Sequence, residues 1–224
     1  MKFREAITDY RYLKNRNYPD KAALKLVSDH FRLSGVERNC LFRAVFADVD
    51  CARRQAKLVS EARIAGRPLG VDWYNVLITV ESYLKGFPVF RADDGLVRDS
   101  SGIHGSYRPG KITPAALDRI LAALENLRPG RLVLFLDSPI SFSGMMAEGL
   151  RERLAGLDAD CAVEVQPSAD YPLKSFAGVV ATSDSSIVDR EAVREVFDLA
   201  RWVLETSYGA QLREVAELEL ATQP

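Results

Sequence analysis

The sequence predicts an α/β protein in which a small all-helical segment precedes a parallel sheet covered by helices on both faces. From residue 67 onward, short apolar runs alternate with amphipathic stretches, as in sheets whose strands are buried on both sides. Residues 1–66 show helical apolar spacing and no convincing strand. We therefore expect a basic helical segment, 1–66, and a three-layer, Rossmann-like α/β domain, 67–224.

The helical segment is predicted to hold four helices. Residues 17–20 separate the first two, with a proline at a helix start, where its missing N–H costs nothing. Ser34 and Glu37 have the spacing of a capping box and open the third helix. The fourth begins near Asp48 and is stopped by Gly66-Arg67-Pro68.

The second segment alternates predicted strands with predicted helices. The strands are the apolar runs at 69–71, 87–90, 132–136, 161–165 and 178–181. The helices are the amphipathic stretches at 75–85, 113–127, 143–154 and 191–205. Residues 95–110 lack periodicity and are rich in Gly and Ser, so we expect an ordered functional loop or a mobile lid.

Composition excludes several classes of protein. A hydrophobic share of 47% and a charged share of 27% are those of a folded domain. No run of eighteen apolar residues occurs and the first residues are charged, so we expect a cytoplasmic protein without membrane contact. Three scattered cysteines favour neither a disulfide framework nor a zinc site.

The net charge of −1 hides an asymmetry along the chain. Residues 1–70 contain 15 Lys and Arg against 8 Asp and Glu, and the remainder contains 15 against 23. A basic segment can hold a polyanion while an acidic cleft holds metal ions. The alternative is a set of helix surfaces that are basic without a partner.

Acidic residues follow several predicted strands. Asp72, Asp137 and Asp184 end strands, and Asp170 comes shortly after the 161–165 strand. The carboxyl ends of parallel strands share one edge of the sheet, so these acids should converge there. Their mutual repulsion favours a bound divalent cation, and all-oxygen ligands favour Mg²⁺ or Mn²⁺. Asp94 is a fifth candidate metal ligand, or a turn residue before a glycine.

Small polar residues flank the same strand ends. Asn75, Ser138, Thr182 and Ser183 are candidates for orienting water or phosphate oxygens. The alternative role is that of a helix N-cap, which small polar residues and single aspartates commonly fill. It applies to these four residues and to each of the acids taken singly.

Three motifs resemble the PIN-like nucleases, especially their NYN branch. They are Val71-Asp72-Trp73-Tyr74-Asn75-Val76-Leu77, the Cys161–Gln166 strand followed by Ala169-Asp170-Tyr171, and Val179-Val-Ala-Thr-Ser-Asp184. The resemblance implies a PIN-like fold and a Mg²⁺- or Mn²⁺-dependent hydrolysis of RNA. Residue by residue, it implies metal ligands at Asp72, Asp170 and Asp184, support from Asn75 and Ser183, and a looser match at Asp137.

The whole chain also resembles an uncharacterised bacterial and archaeal family, the domain of unknown function numbered 434, with its C-terminal partner. Residues 10–19, 93–99 and 137–144 carry this likeness. It implies no activity.

Basic and aromatic residues are mixed in the helical segment, a combination that suits single-stranded RNA. The candidate nucleic-acid contacts are Arg11, Lys14, Arg16, Arg38 and Arg43, joined by Arg98 and Arg108 in the unpatterned loop. The alternatives are aromatic side chains that pack in a core and arginines that lie on the surface.

Three functions follow. The first is a metal-dependent ribonuclease with catalytic Asp72, Asp137, Asp170 and Asp184. The second is a nucleic-acid-binding protein with an inactive PIN-like domain, and the third is a metal-dependent phosphohydrolase of a small phosphorylated molecule. RNA is the expected partner, and the sequence is compatible with either a monomer or a homo-oligomer.

Overall fold

A computed structural model describes residues 2–157 and 159–218. The helical segment contains the four predicted helices, α1 (Lys2–Asn15), α2 (Asp20–His30), α3 (Gly35–Ala44) and α4 (Asp48–Gln55). The predicted capping box opens α3: Ser34 Oγ accepts from the Glu37 N–H at 3.2 Å, and Glu37 Oε2 accepts from the Ser34 N–H at 2.7 Å. The two orphan donors at this helix start are thereby satisfied.

The rest of the described chain alternates strands and helices. The strands are β1 (Pro68–Asp72), β2 (Val89–Arg91), β3 (Val97–Asp99), β4 (Arg131–Asp137), β5 (Asp160–Gln166), β6 (Val179–Ala181) and β7 (Glu195–Phe197). The helices are α5 (Trp73–Leu84), α6 (Thr113–Leu127), α7 (Ser143–Leu154), α8 (Asp170–Leu173), α9 (Ser185–Val188) and α10 (Leu199–Tyr208). The predicted α/β class is confirmed.

Five strands form one parallel sheet in the order β5-β4-β1-β6-β7. From the central strand β1 the chain moves outward through β4 to β5, then crosses to the other side for β6 and β7. The strand order therefore reverses beside β1, and such a switch point leaves a crevice at the carboxyl ends of the strands. Val71 lies in register with Ala181, so the ends of β1 and β6 are neighbours.

Successive side chains along each strand point to opposite faces of the sheet, and a hydrophobic core lies on each face. Val71 and Leu134 lie in the larger core with α5, α6, α7 and α10. Val133 and Val180 lie in the smaller core with the short helices α8 and α9. The predicted covering of both faces is confirmed, because a strand buried on both sides needs apolar side chains at every position.

Strand β2 corrects the predicted strand at 87–90. It begins at Val89 and pairs antiparallel with β3, outside the five-stranded sheet. Phe90 is fully buried in the core of the helical segment, together with Val215 from near the end of the described chain. This hairpin thus joins the helical segment to the α/β domain. It also occupies part of the 95–110 stretch, which contains a 3₁₀ turn at His104–Ser106 as well.

Residues 191–205 are not one helix, as the sequence predicted. Val196 lies in strand β7, parallel to β6, and α10 begins only at Leu199. Asp198 caps α10, because its Oδ1 accepts from the Arg201 N–H at 3.0 Å. Pairing with a strand distant in sequence overrides the local helical periodicity here. Within the described ranges, no helix combines the length and apolar character that a membrane crossing requires.

Candidate functional site

A cleft of about 650 Å³ lies between the helical segment and the carboxyl edge of the sheet, at the switch point. The sheet side contributes Asp72, Asn75, Asp170, Ser183 and Asp184. The opposite wall contributes side chains of the helical segment, among them Lys14, Tyr18, Phe42, Arg43 and Arg54. One cleft therefore joins residues of both predicted segments.

Asp72 occupies the last position of β1 and is only 3% exposed. The Thr182 hydroxyl donates to its Oδ2 at 2.8 Å and accepts from the Asp184 N–H at 3.0 Å. One threonine thus ties the loop that follows β6 to the end of β1. This connection brings Asp72 and Asp184 to the same part of the cleft.

Asn75 joins the same two elements from the first turn of α5. Its Oδ1 accepts from the Ser183 N–H at 2.9 Å and from the Ser183 hydroxyl at 3.0 Å. The amide is therefore held by two hydrogen bonds, and it fixes the loop that carries Asp184. The predicted supporting residues Asn75, Thr182 and Ser183 all belong to this network.

Asp170 and Asp184 both accept hydrogen bonds from Ser186. The serine hydroxyl donates to Asp170 Oδ2 at 3.0 Å, and its N–H donates to Asp184 Oδ1 at 2.7 Å. Asp184 therefore caps α9, the role that the alternative reading gave it. Lys174 forms an ion pair with Asp170 Oδ2 at 2.8 Å, which offsets the charge of that carboxylate.

Asp137 and Ser138 lie outside the lining of the cleft. Asp137 ends β4, and its Oδ1 accepts from the Ala169 N–H at 2.8 Å. Burial, followed by the charge of Asp137, raises the pKa of the cleft residue Tyr74 to about 12. The charge of Asp137 therefore reaches Tyr74, although Asp137 does not line the cleft. Ser138 is exposed.

Asp94 is fully buried between two arginines. Arg98 donates to both of its oxygens at 2.7 and 2.8 Å, and Arg54 donates to Oδ2 at 3.0 Å. The Phe46 ring lies against both guanidinium groups, 4.3 and 4.9 Å from its centroid. Burial raises the pKa of Asp94, but the charges and hydrogen bonds of Arg98 and Arg54 outweigh it and hold this pKa below its usual value.

This buried group, Arg54, Asp94, Arg98 and Phe46, is a structural clamp, so we leave Asp94 out of the proposed metal site. Arg98 also donates from Nε to the Ser183 carbonyl at 3.0 Å. The clamp therefore contacts the loop that carries the acids, although Asp94 itself does not line the cleft.

Three of the predicted nucleic-acid contacts line the cleft, namely Lys14, Arg43 and Arg98. Lys14 also pairs with Asp20. The others lie elsewhere: Arg11 pairs with Asp93 at 2.7 Å, Arg38 pairs with Asp29 at 3.4 Å, Arg16 lies over the Tyr12 ring at 5.6 Å, and Arg108 is exposed.

Sequence reasoning missed four acids of the cleft, Asp20, Asp50, Asp99 and Asp189. Asp99 ends β3, but Arg98 stands directly before it, so the apolar run that indicated Asp72 is missing here. Asp189 has no comparable signal. It accepts from Nε and Nη2 of Arg54, both at 2.8 Å, and this pairing depends on contacts between distant segments.

The donor set of the cleft suits a hard cation. Among residues 2–157 and 159–218, no group of three or more His, Cys, Asp or Glu side chains is arranged to hold a metal ion. Mg²⁺ commonly binds through one or two carboxylates and completes its shell with water and phosphate oxygens. Asp72 and Asp184 are the carboxylates of the cleft that such binding would use, and both approach Thr182.

Comparisons with known proteins assign the chain to families without describing an activity. A model of a protein of unknown function, DUF434, matches residues 2–57, and a model of a domain of unknown function, DUF5616, matches residues 61–202. The "Uncharacterized protein MJ0935" of Methanocaldococcus jannaschii is 32% identical over 205 residues, which cover 92% of this chain and 98% of the relative. No solved structure matches the chain significantly. The likeness to family 434 is thus confirmed for the helical segment.

Proposed function

The chain belongs to the DUF434 and DUF5616 families, and we propose that its cleft is the active site of a metal-dependent ribonuclease. One observation carries the proposal: Asp72, Asn75, Asp170, Ser183 and Asp184 line a single cleft at the switch point of the sheet. These are the five positions that match the motifs of the PIN-like, NYN-type nucleases. A PIN-like domain therefore remains our proposal for residues 67–224.

Asp72 and Asp184 are the residues that we assign to holding Mg²⁺ or Mn²⁺. A bound ion would supply an activated water and stabilise the leaving oxygen of a phosphodiester. Asp170 is assigned to aligning the attacking water, because Lys174 offsets its charge and makes it a weaker ligand. Arg43, on the opposite wall, would offset the charge of the substrate phosphate.

End-labelled single-stranded RNA, incubated with the full chain in Mg²⁺, Mn²⁺ or EDTA, tests the proposal. We expect cleavage with either metal and none in EDTA, and a loss on the order of a hundredfold in Asp72→Asn and Asp184→Asn. Asp160→Asn is the matched control, because Asp160 begins β5 at the opposite edge of the sheet and is exposed. Intact RNA after incubation in both metals would contradict the proposal, and binding without cleavage would indicate an inactive nucleic-acid-binding protein.

The size of the cleft favours a second candidate function, the metal-dependent hydrolysis of a small phosphorylated molecule. A volume of about 650 Å³ lies within the range of small-molecule sites. A screen of small phosphoesters separates the two functions. Metal-dependent release of phosphate from such a compound, with RNA left intact, would favour this candidate over the ribonuclease.

A further inference from the structure

Two large aromatic rings of the helical segment lie at the cleft and are half exposed. Tyr18 and Phe42 are each 49% exposed, whereas Leu41, the neighbour of Phe42 on α3, is fully buried. Tyr18 occupies the turn between α1 and α2, beside Asn17, whose φ of 59° places it in the left-handed region. The turn and α3 therefore each contribute an aromatic side chain to one cavity.

Arg43 follows Phe42 and is only partly satisfied. Its Nε is buried without a hydrogen-bond partner among the described residues. Its contact with Asp99, from Nη2 to Oδ2, is long at 3.4 Å. The side chain is 29% exposed, so a ligand in the cleft can reach the guanidinium group. A guanidinium group with one long contact can bind a second acceptor through its terminal nitrogens, and a phosphate oxygen is the acceptor that an arginine binds best.

We propose that Tyr18, Phe42 and Arg43 form a subsite for an unpaired nucleotide, in which a base stacks on the rings and a phosphate binds the arginine. This inference rests on the proposed function, because it assigns the substrate of that cleft as single-stranded. Bases expose both faces for stacking only when they are unpaired. The subsite therefore distinguishes a single strand from a duplex.

The chemistry of the two walls favours a nucleotide over an apolar ligand. The rings and Arg43 lie on the wall opposite the carboxylates of Asp72 and Asp184. A nucleotide combines a flat ring with an anionic phosphate, so its two parts match the aromatic rings and the guanidinium group of the first wall. Its phosphodiester also extends toward the acids, where the proposed reaction takes place.

Fluorescence anisotropy with a labelled single-stranded oligoribonucleotide, recorded in EDTA, measures this binding without hydrolysis. We expect Tyr18→Leu and Phe42→Leu each to weaken binding about fivefold or more, because leucine keeps apolar bulk and removes the ring face. Tyr18→Phe and Phe42→Tyr should bind like the wild-type protein. Tyr12→Leu is the matched control, since Tyr12 is 59% exposed on α1 and lies outside the lining of the cleft.

The same oligonucleotide annealed to its complement should bind at least fivefold more weakly than the single strand. Equal affinity for the duplex, or leucine variants that bind like wild type, would overturn the inference. Ring-dependent binding without Mg²⁺-dependent cleavage would support the subsite and rule out the proposed ribonuclease activity. If cleavage depends on Asp184 but binding is unchanged by both leucine substitutions, the subsite is contradicted and the proposed ribonuclease activity is not.

Discussion

The hydroxyl of Thr182 donates a hydrogen bond of 2.8 Å to Oδ2 of Asp72, and this bond joins the carboxyl ends of two neighbouring parallel strands. The Thr182 hydroxyl oxygen also accepts a hydrogen bond from the Asp184 N–H. Thr182 therefore orients the Asp72 carboxylate and holds the backbone of Asp184, without lining the cleft itself. Such outer contacts orient ligands in metal sites and contribute to metal affinity.

Thr182→Val removes this hydroxyl and keeps the shape of the side chain. We expect the Mg²⁺ concentration needed for half-maximal cleavage to rise about 10- to 100-fold, because Asp72 loses the hydrogen bond from Thr182 that orients it. Thr182→Ser should restore it. The measurement is a metal titration of the cleavage rate at fixed RNA. A threefold lower rate with an unchanged metal requirement would assign Thr182 a role in folding instead.

Mg²⁺ or Mn²⁺ should raise the melting temperature of the full chain. An ion that binds only the folded state stabilises it, by about 5–10 °C at a concentration a hundred times the dissociation constant. Thermal melting of the EDTA-treated protein, with and without each metal, measures the shift. Asp184→Asn should abolish it and Asp160→Asn should keep it. A shift of the same size in Asp184→Asn would place the bound ion elsewhere.

Asp94→Asn tests the clamp against the metal site. Removing the carboxylate leaves Arg54 and Arg98 buried without their common partner, so we expect a loss of about 3–5 kcal/mol in the free energy of unfolding at neutral pH. Urea denaturation measures it. Asp118→Asn, at an exposed ion pair with Arg153, should change stability by less than about 0.5 kcal/mol.

The pH dependence of that loss follows from the direction of the pKa shift. Asp94 has a pKa below its usual 3.8 in the folded protein, because Arg98 and Arg54 outweigh the cost of burial. Its contribution to stability is therefore complete above the usual pKa and disappears as the pH falls through the lower, folded value. The difference between wild type and Asp94→Asn should be full at pH 7 and shrink below about pH 4. A difference that grows on acidification would contradict this assignment.

The central part of the fold could be predicted because its signals are local. The apolar run at 132–136 is too short for a buried helix and has no polar face, so a strand buried on both sides is the solution that remains. β7 could not be predicted in this way. Glu195–Phe197 becomes a strand by pairing with β6 on one side and with Leu58 on the other, and the residues around it have helical spacing.

The candidate site likewise contains features that local sequence predicts and features that depend on contacts between distant residues. The convergence of Asp72 and Asp184 follows from a general rule about the carboxyl ends of parallel strands. Whether Asp94 lines the cleft or is buried depends on which basic side chains pair with it. One of them, Arg54, comes from a helix of the other segment. A sequence does not record such pairings between distant residues. Burial of the Asp94 carboxylate was therefore not predictable from the Asp93-Asp94-Gly95 motif.

Gly178, just before β6, tests the packing that sets the strand ends in register. A Cβ at this position would lie 2.5 Å from the Pro68 carbonyl oxygen, which belongs to the backbone of β1 and cannot move independently of that strand. We expect Gly178→Ala to lower the free energy of unfolding by about 1–3 kcal/mol.

Gly149→Ala is the opposite case, because nothing lies within 4 Å of its added Cβ and it sits within α7. That change should raise stability by about 0.5–1 kcal/mol through helix propensity. Urea denaturation of both variants decides the point, and a Gly178→Ala protein as stable as wild type would show that β1 and β6 are farther apart than described.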